Sequence, residues 1–246
     1  LDRILDGDAR AALTTRICGI LTPAYEQLGA EPRPGDTDRE RALRGALFEA
    51  LGTIGANIDI RARARVLLAI GALDPDPALV AAAINIVAAS GTAAEFDDYI
   101  KRMKTASTPQ EELRFLGALA DFPDPALIKR LVAMTLTEEI RTQNAPLLLR
   151  RALSNPEAGE VAWQFVRSEW DSITNRLPSN SIARLLEGVR NLSQPQTAAE
   201  VMAFFETHEV PQGDKILAQH LERLKVNLAL RQRETQRLSE RLLHNR

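Results

Sequence analysis

Cysteine is almost missing from this 246-residue chain. Cys18 stands alone, which forbids an internal disulfide and any cysteine-based zinc cluster and suits a reducing, cytoplasmic compartment. Histidine is nearly as scarce, with His208, His220 and His244 far apart in sequence or on opposite sides of a helix break. Aromatic residues are few, at two Trp, two Tyr and seven Phe, and neither sign of charge dominates, with 31 basic residues against 33 acidic ones and a net charge of −2. A dedicated nucleic-acid binder needs a clear basic excess, so the balance argues against that class, and a nucleic-acid-binding helical repeat stands as the weaker rival reading. No apolar run approaches the roughly 18 to 20 residues of a membrane span, and no charged-then-apolar leader precedes the chain, so neither insertion nor export is expected. The first residue is Leu1 rather than Met, so a piece of a longer protein is expected.

Strand signals are lacking as well, because no stretch alternates apolar and polar residues between hairpin turns. One-sided helical stripes take their place: Leu113, Leu116 and Ala120; Leu127, Leu131 and Met134; Trp163, Val166, Trp170 and Ile173; Ile182, Leu185, Leu186 and Val189. Cap residues recur evenly between them. Asp76-Pro77, Thr92-Ala93, Thr108-Pro109 and Asp124-Pro125 each put an oxygen-bearing side chain before a good first helical residue, every 16 positions. Glu111 stands where the acid of a capping box on Thr108 belongs. Asp-Pro-Ala-Leu-Val at Asp76 and Asp-Pro-Ala-Leu-Ile at Asp124 are near copies 48 residues apart.

Sixteen residues hold a helix of about three turns and a loop of roughly four, and short loops make successive helices antiparallel neighbours. The expected fold is therefore all-α, an α-solenoid-like superhelix of antiparallel pairs of the HEAT or armadillo kind, with an irregular helical domain as the alternative. Residues 1–246 read as one such domain. Helices are expected at 8–21, 40–54, 58–72, 77–89, 93–105, 109–120, 125–134, 145–153, 157–174, 180–191, 196–208 and 213–243.

Catalytic chemistry is hard to find. His208-Glu209 opens a zinc-binding His-Glu-x-x-His string, but Gln212 stands where the second His belongs and Pro211 breaks the helix. Cys18 lies among Leu13, Ile17 and Leu21 and reads as a core thiol, and the Gly patterns that cradle phosphates are absent. Adjacent carboxylates at Asp97-Asp98, Glu111-Glu112 and Glu138-Glu139 diverge on a helix and mark helix starts and solvated faces. Trp163 and Trp170 are core anchors rather than a platform. Lys215–Arg246 carries eight Lys or Arg against three Glu without interleaved aromatics, which favours a solvated helical tail over a nucleic-acid face.

Several strings nevertheless resemble one family. They are Leu43-Arg44, Thr108-Pro109-Gln110-Glu111-Glu112 with Leu116 to Ala120, Glu139-Ile140-Arg141-Thr142-Gln143-Asn144, and Gly159 with Ala162-Trp163-Gln164-Phe165-Val166 and Trp170. Val201 with Phe204-Phe205 and Leu221-Glu222 with Asn227 complete the set. In this order and spacing, over roughly residues 8 to 243, the chain resembles the C-terminal helical domain of the aminopeptidase N family of zinc aminopeptidases, nearest to its puromycin-sensitive and endoplasmic-reticulum branches. Leu230 stands where that family usually has Trp, and Leu242-Leu243 where it has Trp-Leu.

The resemblance implies a parent enzyme with an amino-terminal β domain and a thermolysin-like domain that carries the zinc on His-Glu-x-x-His, together with a Gly-x-Met-Glu-Asn string; neither motif occurs here. This chain would lack the domain's first helices and the catalytic domain, hold no cofactor, and form the wall and lid of a peptide chamber. Its partners would be the catalytic and N-terminal domains of the same parent and peptide substrates, with no nucleic acid and no membrane. A free-standing HEAT-like scaffold for protein–protein interaction is the rival reading. Arg141 and Gln143, in a polar turn between two apolar helices, are the candidate substrate contacts, since a guanidinium matches a carboxylate bidentately; the alternative is that they cap neighbouring helix ends.

The purified chain is accordingly expected to bind no stoichiometric zinc and to release no amino acid from aminoacyl reporter substrates. Chelator-sensitive activity that follows the chain through several columns would overturn that expectation.

Overall fold

The computed structural model describes residues 2–70, 76–210 and 213–244; residues 71 and 72 of the expected third helix, and Pro211 and Gln212, lie outside them. Thirteen α-helices and no strands are found among the described residues. The chain forms two compact units, Leu1–Glu95 with Gln236–Arg246, and Phe96–Thr235.

The first unit holds α1 (Gly7–Leu28), α2 (Asp38–Gly52), α3 (Ile58–Ile70), α4 (Pro77–Ser90), the start of α5 (Ala93–Thr105) and the end of α13 (Asp214–His244). Helix α2 packs on α4 more extensively than on its sequence neighbour α3. Such next-but-one packing is what stacked helix pairs produce. Helix α1 runs seven residues beyond the expected end because Pro23 is accommodated inside it, and the extra turn carries Tyr25 into the core against the ring of Phe48. Helix α2 starts two residues before the expected 40, at a capping box: the Thr37 hydroxyl accepts from the Glu40 N–H while Glu40 takes the Thr37 N–H at 2.8 Å. These bonds to Thr37, side chain first, hold the Glu40 carboxyl below its ordinary range.

Ahead of that cap, the Pro-rich loop is pinned by Arg44, whose side chain is 0% exposed. Its Nε donates to the Gly29 carbonyl at 2.9 Å and its Nη2 to Asp36 at 2.6 Å. Asp36 also accepts the Arg33 backbone N–H at 2.8 Å, and this bond, followed by Arg44, keeps its carboxyl charged well down the pH scale.

The second unit holds the rest of α5 and α13 with α6 (Pro109–Ala118), α7 (Pro125–Met134), α8 (Ala145–Leu153), α9 (Gly159–Ser168), α10 (Trp170–Arg176), α11 (Ser179–Leu185) and α12 (Pro195–Phe204). Asp76, Thr108 and Asp124 cap their helices as their spacing requires, with bonds of 2.9, 3.2 and 2.8 Å. The box at Thr108 is only half formed, because Glu111 reaches past it to the Ser107 N–H. At Thr92 the backbone N–H donates to Glu95 at 2.8 Å.

The helix expected at 157–174 is two, α9 and α10, separated at Glu169. The break lets Trp163 and Trp170 both meet Phe204 and Phe205 from α12, at ring separations of 5.4 to 6.0 Å. They are core anchors, as their spacing suggests. Similarly, the helix expected at 180–191 is α11 followed by a 3-10 segment, Leu186–Asn191.

Two internal links tie this unit together. Asn155 is buried with all its capacity used: its amide donates to the Ala120 and Phe122 carbonyls, and its oxygen accepts from the Glu157 and Ala158 N–H groups, all within 2.8 to 2.9 Å. The other link is steric. A Cβ on Gly188 would lie 2.5 Å from the Arg150 carbonyl oxygen and 2.5 Å from the Leu153 Cβ, so the 3-10 segment rests directly on α8. Gly188→Ala is therefore expected to destabilise the protein by about 1–3 kcal/mol through overpacking, with a fall of a few degrees in Tm in a thermal melt. An unchanged Tm would show that this contact is soft.

Candidate functional site

The adjacent carboxylates part, Asp97-Asp98 and Glu111-Glu112 on helices and Glu138-Glu139 in the turn that follows α7. Asp97 pairs with Arg130 and Asp98 with Arg102; Glu138 pairs with Arg176 and Glu139 with Lys104; Glu111 serves the cap while Glu112 meets Arg141 at 3.4 Å. None forms a general acid and base. The histidines are equally dispersed: His208 stacks on Phe204 with centroids 3.8 Å apart, His244 bonds to the Glu240 carbonyl, and His220 is buried elsewhere. Among the described residues no group of three or more His, Cys, Asp or Glu side chains could hold a metal ion. Cys18 is half-buried and donates to the Gly55 carbonyl at 3.2 Å. Zinc chemistry does not fit this chain's own residues.

What the second unit does build is a groove of about 730 Å³ between α6, α8, the 3-10 segment and α13. Its apolar lining includes Leu116 and Leu148, which are buried, and Leu113 and Leu147, left 46% and 55% exposed. The expected stripe of α6 is thus only partly covered. Four guanidinium groups also line it, those of Arg150, Arg151, Arg190 and Arg223, with Glu187 the one carboxylate and Asn144, Ser154, Asn191 and Asn227 completing the polar lining.

The four arginines come from three elements. Arg150 and Arg151 end α8, where cations oppose the helix dipole. Gly117 leaves room for Arg151, which binds Asp121 through Nε at 2.9 Å and again through Nη2. Glu187 bridges two others, accepting from Arg150 at 2.8 Å and from Arg190 at 3.3 Å. Arg223, exposed on α13, makes no ion pair or hydrogen bond among the described residues.

Behind Arg190 lies His220, 4% exposed. Its Nε2–H donates to the Ala183 carbonyl at 2.9 Å, which leaves Nδ1 to accept the Arg190 Nε–H at 2.8 Å. Asn227 adds a bond from its amide to the Arg190 carbonyl at 2.7 Å. Burial first, and the Arg190 charge with it, push the imidazole pKa down against the opposing pull of Ala183 and Glu187. The groove therefore offers hydrogen-bond donors and positive charge but no activated nucleophile, since Ser154 Oγ already donates to the Arg150 carbonyl and accepts from Asn191.

The candidate residues of the sequence reading stand beside this groove rather than in it. Arg141 and Gln143 are exposed in the turn before α8 and do not line the cavity, although Asn144 of the same turn does. Arg141 is 65% exposed, with Glu112 as its ion-pair partner and its own carbonyl accepting from Asn144 and Ala145. The four groove arginines went unnoticed because they come from three separate segments. Only the burial of His220 had a local signal, its position three residues after Leu217 and four before Leu224.

The lowered pKa of His220 makes stability depend on pH in a definite direction. The unfolded chain takes up a proton at about pH 6.5 and the folded one only at lower pH, so stability is full above that value and lost as pH falls below it. His220→Gln, which keeps a hydrogen-bonding side chain without the titration, is expected to flatten the decline in Tm between pH 7 and pH 5. An identical decline in both proteins would show that other groups cause it.

Residues 1–226 match the family described as the ERAP1-like C-terminal domain. The chain is similar to Aminopeptidase M1 of Arabidopsis thaliana, at 28% identity over 218 residues that make up 85% of this chain and 25% of the relative. It is similar to Aminopeptidase M1-B of Oryza sativa subsp. japonica, at 28% over 221 residues, 86% and 25%. Aminopeptidase 2, mitochondrial, of Saccharomyces cerevisiae is 24% identical over 212 residues, 82% of this chain and 22% of the relative. The chain thus spans about a quarter of the length of the curated relatives it matches. With an all-helical fold, next-but-one helix packing and a family match over nearly its whole length, the chain belongs to the ERAP1-like C-terminal domain family of the M1 aminopeptidases.

Proposed function

We propose that this chain is the non-catalytic C-terminal domain of a zinc-dependent aminopeptidase and forms the wall and lid of its peptide chamber, limiting which substrates enter. The observation that carries the reading is a cationic groove, large enough for a peptide segment, in a family member that lacks any catalytic grouping among its described residues. Residues 1–246 act as one helical-repeat domain of the parent. Zinc belongs to the parent's catalytic domain, where it would polarise the scissile carbonyl and activate water; this chain contributes walls, charge and exclusion of bulk solvent. Its partners are the catalytic and N-terminal domains of the same chain and the peptides they process. A reducing cytoplasmic compartment suits the lone thiol, and no helix among the described residues is long and apolar enough to cross a membrane.

Arg141 and Gln143 are assigned to remote substrate contact at the edge of the groove. Arg141→Ala in the full-length enzyme tests this. Loss of a substrate contact lowers kcat/KM by about 1–3 kcal/mol for peptides long enough to reach the site and leaves single-residue reporters and Tm unchanged. The exposed pair with Glu112 contributes about 1 kcal/mol or less, so its loss leaves folding nearly intact. Equal losses on all substrates with a lower Tm would make Arg141 a structural residue and remove the assignment.

A further inference from the structure

We propose that the groove between α6, α8, the 3-10 segment and α13 is a binding site for acidic peptide segments, reading Asp or Glu side chains within the peptide. The inference rests on the peptide-chamber reading above and names the substrate chemistry that it favours.

Four guanidinium groups line the groove, with Glu187 the one carboxylate in the lining and Asp121 paired to Arg151 outside it, in a protein whose total charge is −2. Such a concentration is local and is not a by-product of composition. One of the four, Arg190, is held in place. Arg190 is fixed from behind by the buried His220 and from the side by Glu187, and among the described residues its Nη2 has no partner. Arg223 has no partner at all within the same limits. A planar guanidinium that is already oriented loses little freedom when it binds a carboxylate, which is the geometry it matches best.

Glu187 itself shows the chemistry, since a carboxylate sits between Arg150 and Arg190 at 2.8 and 3.3 Å. A second carboxylate arriving from a ligand would meet Arg223 and the uncommitted edge of Arg190. In the same lining, the exposed faces of Leu113 and Leu147 offer cover for aliphatic stems. A nucleic acid fits less well, because no aromatic side chain lines the groove to stack on a base. The volume, about 730 Å³, lies within the roughly 300–1,000 Å³ of pockets that enclose small ligands, so it admits a short segment and not a folded domain.

The test uses the full-length protein and fluorescent peptides of about ten residues, acetylated at the N-terminus so that no free α-amino group is left to be trimmed. One peptide carries three central Glu residues, a second has Gln in their place and a third Lys; each is made with a free and with an amidated C-terminus. Fluorescence anisotropy is expected to show the Glu peptide binding at least tenfold more tightly than the Gln peptide, amidated or not, with the difference shrinking as salt is raised. Arg223→Lys should keep most of that preference. Arg223→Glu should abolish it and improve binding of the Lys peptide; because Arg223 is exposed and unpaired, neither change threatens the fold.

Equal binding of Glu and Gln peptides to the unmodified protein would overturn the proposal, as would a preference that survives Arg223→Glu. A preference that vanishes on amidation would assign the groove to a terminal carboxylate instead. Binding of inorganic phosphate to the groove without any peptide preference would assign it to free oxyanions and equally overturn the proposal. Failure of the chamber reading looks different: a Glu preference that depends on Arg223 in binding, but no effect of peptide composition or of Arg223→Glu on turnover of long substrates.

Discussion

The second unit turns on the absence of one side chain. Because Gly188 has no Cβ, the 3-10 segment can lie on the backbone of α8 at Arg150 and against Leu153. That approach puts Glu187 within reach of Arg150 and brings Arg190, two residues further on, to the same carboxylate. Like charges of this kind do not gather unaided. The carboxylate between them, the neutral imidazole of His220 and the pairing of Arg151 with Asp121 together let four guanidinium groups share one groove. The exposed pairs contribute little to stability individually, so their main effect is to fix where positive charge points.

His220 illustrates how burial and hydrogen bonding divide the work. Donation from Nε2 to the Ala183 carbonyl selects the tautomer, and that tautomer leaves an acceptor facing Arg190. A protonated ring would place two donors and two charges against each other. Desolvation lowers the imidazole pKa, so the arrangement sustains itself near neutrality. Arg44 in the first unit plays a comparable role: it is buried, and it holds the Gly29 to Asp36 loop by a carbonyl and a carboxylate. In both units an arginine joins elements whose apolar faces alone would leave their relative position loose.

Local chemistry explains how much of this was legible in the sequence. The caps at Asp76, Thr108 and Asp124 lie within four residues of the groups they bind, and α7 and α8 begin and end where the stripes place them. The misjudged boundaries are those set by distant partners. The helix expected at 8–21 ends short of Pro23, yet α1 continues through it to Leu28, where Tyr25 packs on Phe48. The heptad from Trp163 to Trp170 reads as one helix, yet it breaks because both rings pack on α12. Family resemblance supplied what periodicity could not, the identity of the domain, through strings such as Ala162-Trp163 and Phe204-Phe205 that prove to be mutual packing partners.

The groove was illegible for the same reason in stronger form. Its arginines stand at positions 150, 151, 190 and 223, and each taken alone is an ordinary helical surface residue. Counting charge over the whole chain hides them, since 31 basic residues are offset by 33 acidic ones. A near-neutral protein has little long-range field with which to steer a ligand, and at physiological salt charges are screened beyond roughly 8 Å. The arginines can therefore act only at contact distance, on a ligand already brought to them. In the proposed chamber, confinement would supply the encounter and local charge the selection.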